Sequence, residues 1–339
     1  MKKTLLFILL ILCIGCSKEN ERCINVLNWS SYIPMEVIQN FEKEYDIKVN
    51  YSTYSSNEEL LAKLSSAKEG TYDLIFPSDY MVEIMKNRNL VQKLDLNRLN
   101  NLGNINKEYL NLEYDLNNDY SIPFIVATTV IAVNRDKITD YIDSYNDLLN
   151  YKYKNEIVLI DDQRIIIGMS LIANKFDMNS VNEKELSIAK NWLLNLKQNL
   201  KAYDSDSPKN FLITEEASIA VLWNAEAALA KEENPNIEIV IPKEGIALSI
   251  DNFVIPIGSK HTNDTYLFID YILRPDVMKK IIESYPYKNI NIETEKLLSD
   301  NYLLNDAANI SDENIRKGYF VKNIGDKIKV YDKIWADIK

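Results

Sequence analysis

Histidine occurs once in this chain, as His261, and glycine only eight times in 339 residues. Standing in the polar run "GSKHTND" just before a helical stretch, His261 reads as an exposed surface residue, which leaves histidine-based metal sites and Ser-His-Asp triads without support. The few glycines form neither G-x-x-x-x-G-K-[ST] nor G-x-G-x-x-G, so the cradles that hold nucleotide phosphates are missing as well. Asp161 and Asp162 are neighbours leaving a strand and should point to opposite sides, a poor acid/base pair. No constellation for an enzyme remains, and neither cofactor nor metal is expected. Positive charge is also short: 39 Lys and Arg stand against 50 Asp and Glu, and the net charge of −11 argues against nucleic acid as a partner. That acidity suits a cationic ligand, or it serves solubility alone.

Three cysteines are present, and two of them flank an unusual N-terminus. Lys2 and Lys3 precede the apolar run "TLLFILLILCIG", too short to span a bilayer comfortably, and Gly15 stands directly before Cys16. The pattern resembles a bacterial lipoprotein signal over 1–15, with Cys16 as the acylated first residue of the mature chain and 16–23 as a tether. Cys13 departs from the usual leucine of that motif. A noncleaved signal anchor is the alternative. Cleavage removes two lysines and takes the charge from −11 to −13. Only Cys16 and Cys23 then remain, so the fold cannot rely on a disulfide.

With 46% apolar residues the chain can bury a large core, and its length favours two domains over one. From Ile24 onward, short apolar runs alternate with amphipathic stretches. "INVLN" reads as a strand and "PMEVIQNFEKEY" as a helix with Val37, Ile38, Phe41 and Tyr45 on one face. "IKVNYSTY" is a second strand, "NEELLAKLSSAKEG" a helix stopping at Gly70, and "YDLIFPS" a third strand opening onto "DYMVEIMKN". This order predicts parallel pairing with right-handed crossovers. The pattern resumes around Val130 to Lys137, with strands at "EIVLIDD", "SIAVLW" and "IEIVIPKEG" and helices at "NEKELSIAKNWLLNLKQN" and "NAEAALAKEE". "NFVIPIGS" and "DTYLFIDYILRPDVMKKIIES" read as returning to the first unit. The expectation is an α/β fold of two lobes, 24–130 plus 251–300 and 131–250 plus 301–339, with a ligand cleft where strand ends face each other.

Unusual residues gather at those strand ends. Trp29, Ser30 and Tyr32 follow the first strand; Ser78, Asp79 and Tyr80 follow the third. Asp162, Trp223 and Asp251 close "LIDD", "VLWN" and "LSID", and Tyr285 follows a long helix. Each has a plain alternative, since Asp and Ser after a strand cap helices and aromatics close cores. Together they make aromatic walls with isolated carboxylates, suited to an ammonium held by π faces and charge-assisted hydrogen bonds. Trp192, with Ile188 and Leu196 four residues to either side, reads as a packing residue, as does Trp335 in the last helix.

The segments "LNWSSYIP", "YDLIFPSDYMVEIM", "NDYSIPF", "LIDDQR", "VLWN", "IPKEG", "YILRPDV" and "ESYP", in this order, resemble the spermidine/putrescine-binding proteins of bacterial ABC importers. That resemblance implies a two-lobed periplasmic-binding-protein fold of type II, extracytoplasmic and here lipid-anchored to the membrane. It further implies a monomer that carries putrescine or spermidine to an inner-membrane permease and ATPase complex. It places ligand contacts at Trp29, Ser30, Tyr32, Ser78, Tyr80, Asp162, Ser205, Trp223, Asp251 and Tyr285. Several positions depart: Ser31 and Ile165 stand where glutamates are expected, Ser249 for a tryptophan and Val321 for a glutamine. With Asp162 and Asp251 the only carboxylates kept, putrescine should bind at least as tightly as spermidine, unless Asp79 turns inward as a third. Another small cationic solute, or a sensing role, fits the same scaffold.

Overall fold

The computed structural model describes residues 22–205 and 207–339. The signal segment and Cys16 lie outside the described residues. Strand β1 (Cys23–Trp29) leads into helix α1 (Met35–Tyr45), whose Val37, Ile38 and Phe41 are buried and which ends at Asp46 in a left-handed conformation. Strand β2 (Lys48–Tyr54), helix α2 (Asn57–Ser66), strand β3 (Leu74–Ile75) and helix α3 (Asp79–Asn87) follow. β2 and β3 both pair parallel to β1, giving the sheet order β2-β1-β3. The expected α/β lobe with crossover helices is therefore present. α2 stops at Ser66, earlier than the expected Gly70, which instead takes the turn at φ 75°.

Strand β4 (Ile122–Asn134) is thirteen residues long and buried along its whole length. A strand covered on both faces carries no alternation, and periodicity therefore gives no strand here. After it come β5 (Ile157–Leu159), α4 (Gln163–Ala173), α5 (Glu183–Lys197), β6 (Leu200–Tyr203), α6 (Lys209–Ile213), β7 (Ile219–Trp223), α7 (Asn224–Glu233), β8 (Ile237–Val240) and β9 (Ala247–Phe253). α4 was not foreseen, because every residue from Arg164 to Ala173 is buried and no polar face marks it as a helix. Helices α8 (Thr262–Ile272) and α9 (Pro275–Ser284) and strand β10 (Tyr319–Phe320) precede the C-terminal helix Ile328–Ile338. The second sheet runs β10-β9-β4-β7-β5-β6, with β8 also paired to β4.

β4 and β9 join the two halves. The first part of β4 pairs antiparallel with β9 from Ile122↔Phe253 to Thr128↔Leu248, and its remainder pairs with β7 and β8. β9 then meets the first sheet: Ile75 N–H donates to Val254 at 2.9 Å, and Ser78 bridges Asp251. The boundaries expected at 130/131 and 250/251 fall inside these two strands. α8 packs back on α1, with the Phe41 and Phe268 rings 4.8 Å apart, so the chain returns to the first lobe as expected. The last helix packs on the second lobe, where Trp335 meets Tyr203 at 5.3 Å and Asp337 pairs with Lys190 at 2.6 Å. Trp192 is buried and its indole donates to Asn146 at 2.8 Å.

His261 is not the free surface residue expected. Its Nδ1 lies 3.0 Å from the fully buried Asp73 carboxylate, which also accepts from Asn25 N–H, the Asn25 amide, Ser259 Oγ and the backbone of Lys260 and His261. Asp73 thus ties β1 to the turn that leads into α8. Burial pushes its pKa up, but hydrogen bonds from His261, Asn25 and Ser259 outweigh that and hold it below the usual range. A depressed carboxylate stabilises the fold above its unfolded pKa and loses that contribution as pH falls through its folded one. Asp73→Ala should therefore cost about 2–3 kcal/mol in urea unfolding at pH 7 by orphaning buried donors, and less below pH 3.

Candidate functional site

One cavity between the lobes is lined by all of Trp29, Ser30, Tyr32, Ser78, Tyr80, Asp162, Ser205, Trp223, Asp251 and Tyr285. The loop after β1 brings the first aromatics in. Ser31, at φ 53°, turns the chain sharply so that Ser30 and Tyr32 both reach the cavity. The Trp29 indole donates to the Phe76 carbonyl at 2.9 Å and packs on Tyr54 at 4.6 Å, which fixes one wall. Tyr32 is buried, with Tyr287 5.0 Å away, and its hydroxyl donates to Asp251.

Asp251 lies in β9 with 3% of its surface exposed. Ser78 Oγ donates to its second oxygen at 2.7 Å. Ser78 sits at the start of α3, yet its hydroxyl does not cap the helix; it serves Asp251 and is steadied by the Asn57 amide at 3.0 Å. Burial pushes Asp251 up to about 6 although both hydrogen bonds pull it down. Asp79, next in sequence, does not line the cavity: it is buried at the first turn of α3, where its carboxylate accepts from Tyr80 N–H at 2.9 Å.

On the opposite wall Asp162 caps α4, accepting from Ile165 N–H at 3.0 Å, and lines the cavity at the same time. Burial and the nearby Glu58 raise it to about 6, against the pull of Ile165 N–H and the Arg164 guanidinium. Asp161 lines the cavity too, so the expected divergence of the pair is only partial; Asp161 is exposed and ion-paired with Lys339. Ser205 Oγ accepts from Asp161 N–H at 2.8 Å and so positions that turn.

Sequence reasoning missed Tyr54, Asn57, Arg164, Glu226 and Tyr287, all of which line the cavity. Glu226 and Asn57 each stand in the first turn of a helix that follows a strand, a signal that was available. Arg164, in the first turn of α4 two residues after Asp162, carried the same signal, whereas Tyr287 enters from a distant segment. Ser31, Ile165, Ser249 and Val321, the positions that depart from the resembled pattern, line the cavity as well. Among the described residues Asp162 and Asp251 have no ion-pair partner, and no cluster of metal-ligating type occurs. Two unpaired carboxylates between aromatic walls suit a ligand with two positive centres.

The family model described as bacterial extracellular solute-binding protein matches residues 36–302. The chain is 37% identical over 314 residues to the spermidine/putrescine-binding periplasmic protein of Salmonella typhimurium, covering 92% of this chain and 90% of that one. The solved structure of the spermidine/putrescine ABC transporter substrate-binding protein PotD from Streptococcus pneumoniae superposes with a TM-score of 0.80 at 29% identity, covering 94% and 98% of the two chains. The Tp0655 lipoprotein of Treponema pallidum gives 0.85 at 25% identity, covering 94% and 99%. The Salmonella and Streptococcus proteins are named for polyamine binding or transport and the Treponema protein as a lipoprotein, and the two-lobed α/β fold is shared with them.

Burial thus pushes both Asp162 and Asp251 up to about 6, above the ordinary aspartate range. A raised pKa stabilises the fold fully below the unfolded value and loses that contribution as pH rises through 6. Carboxyl-detected NMR should show both groups titrating there, and the Asp162→Asn/Asp251→Asn double variant should remove a fall in unfolding free energy between pH 4 and 7.

Proposed function

The chain belongs to the bacterial extracellular solute-binding protein family, and from that premise we propose that it is the substrate-binding component of an ABC importer that captures putrescine or spermidine in the cleft. The observation that carries this reading is the placement of Asp162 and Asp251. Asp251 is bonded to Tyr32 and Ser78 of the first lobe, Asp162 caps a helix of the second, and both reach one aromatic-walled cavity with no lysine or arginine of the described residues at ion-pair distance. An alkyl chain with an ammonium at each end lays its methylenes on Trp29, Tyr32, Trp223 and Tyr285 and brings its charges to the two aspartates. The same reading makes β4 and β9 the strands along which the lobes divide, and the importer's permease and ATPase the recipients of the ligand.

Ionised partners matter most where water is excluded. Asp162→Asn and Asp251→Asn should each weaken polyamine binding by about 2–5 kcal/mol in titration calorimetry, since each leaves an ammonium unmatched. Asp161→Asn should do far less, because Lys339 already holds that carboxylate at an exposed site. Trp223→Ala should weaken binding, whereas Trp192→Ala should lower the melting temperature with affinity nearly intact. A panel of amines and amino acids in which no polyamine raises the melting temperature would overturn the reading.

Cys16 acylation is part of the same proposal. It is supported by the "CIGC" motif after an apolar run and by the structural relative from Treponema pallidum, which is named a lipoprotein. Cys16→Ser should move the protein from the membrane pellet to the soluble fraction of cells expressing the full chain; retention in the pellet would count against anchoring through this cysteine.

A further inference from the structure

Two charged residues beside the cavity lie outside every segment that carried the resemblance. Glu226, in the first turn of α7, lines the cavity with its side chain only 13% exposed. Lys209, the first residue of α6, reaches it from outside the lining and donates to both carboxylate oxygens, at 2.9 and 2.8 Å. Burial raises the Glu226 pKa against that pull, and Asp204 adds to the rise. The start of α7 also meets the segment that carries Tyr285 and Tyr287, where the Asn224 amide donates to the Pro286 carbonyl at 3.5 Å. Tyr287 lines the cavity 5.0 Å from Tyr32, the partner of Asp251, and its phenol is pushed up by burial and then by the charges of Glu226 and Asp251. Both acids therefore stand at the same end of the cavity.

Four carboxylates line the cavity, Asp161, Asp162, Glu226 and Asp251, and they differ in what already neutralises them. Asp161 is exposed and held by Lys339. Glu226 is the one largely buried acid among them with a lysine on both oxygens. That lysine is tethered directly after Pro208, so its ammonium meets Glu226 at the high effective concentration of an intramolecular partner. A ligand ammonium arriving here has to displace it and leave Lys209 unpaired where little water reaches, which is costly. With Lys209 neutral, the same carboxylate becomes an open acceptor beside Asp251.

We propose that Lys209 is a specificity-determining residue: it holds Glu226 as a latent third ammonium site and leaves Asp162 and Asp251 to the ligand. This rests on the polyamine reading above and deepens it. The test is competition calorimetry with spermidine and N-butyl-1,4-diaminobutane, which has the reach of spermidine with one terminal ammonium replaced by methyl. Lys209→Met, which keeps the bulk of the side chain and drops its charge, should raise the affinity for spermidine relative to the butyl diamine about tenfold, or about 1.4 kcal/mol. Adding Glu226→Gln should abolish that gain. A merely structural lysine would move the melting temperature and both affinities together. An unchanged ratio in a folded Lys209→Met, or a gain that survives Glu226→Gln, overturns the inference and leaves the polyamine reading standing. If Lys209→Met fails to fold, carboxyl-detected NMR of the native chain decides. The Glu226 resonance should then move alike with either amine, and a shift confined to spermidine would mean that a ligand ammonium displaces Lys209, which overturns the inference. If neither putrescine nor spermidine binds the native chain, the polyamine reading itself falls and this inference with it.

Discussion

Asp251 is a carboxylate carried by a strand that passes from one lobe to the other, held almost out of water by Tyr32 on one oxygen and Ser78 on the other. Much of the molecule is organised by that contact. The backbone bridge between Asp251 and Ser78 lies beside the one between Ile75 and Val254, where the second sheet meets the first. Ser78 gives up its helix-capping role for it, and Asn57 at the head of α2 steadies the serine. Tyr32, pulled inward, packs against Phe124 of β4 and against Tyr287, which brings three separated segments to one place. A buried charge with neutral hydrogen-bond partners and no counter-ion is costly in a folded protein.

The same economy governs the other wall. Asp162 accepts a helix-terminal N–H, which keeps its carboxylate in one orientation without cancelling its charge. By contrast Asp161, one residue earlier, and Glu226 each have a lysine at hand. Pairing removes those two from competition for a ligand and leaves them to hold the C-terminal helix and α6 in place. The cavity's chemistry is thus decided less by how many acids it contains than by which of them the protein has already neutralised.

Rigidity comes from elsewhere. Asp73, with donors from β1 and from the turn before α8, secures the chain's return to the first lobe, and the uninterrupted burial of β4 runs through both halves of the molecule. Asp73 does not line the cavity, and β4 contributes only Ala127 to it. Both fix the strands whose ends, with the loops and helix starts that follow them, line the cavity.

Alternating apolar runs and amphipathic stretches determined the α/β class, the parallel first sheet and the helices α1, α5 and α7, because each of these has one buried and one wet face that leaves a period in the sequence. Strand-end aromatics and acids, together with co-linear motifs, were enough to assemble the ten cavity residues, since a motif records position along the chain and these residues sit at element boundaries. What was buried on all sides left no such trace. β4 and α4 lack a polar face, and their extents came only with the tertiary structure. Pairing was equally invisible: His261 met Asp73 across 188 residues, Lys339 met Asp161 across 178, and Arg164 lay over the rings of Tyr80 and Tyr331. Charge in a sequence is a count, but charge in a cavity depends on which opposite charge folding brings within a few ångströms, and that distance is set by the packing of segments the sequence keeps far apart.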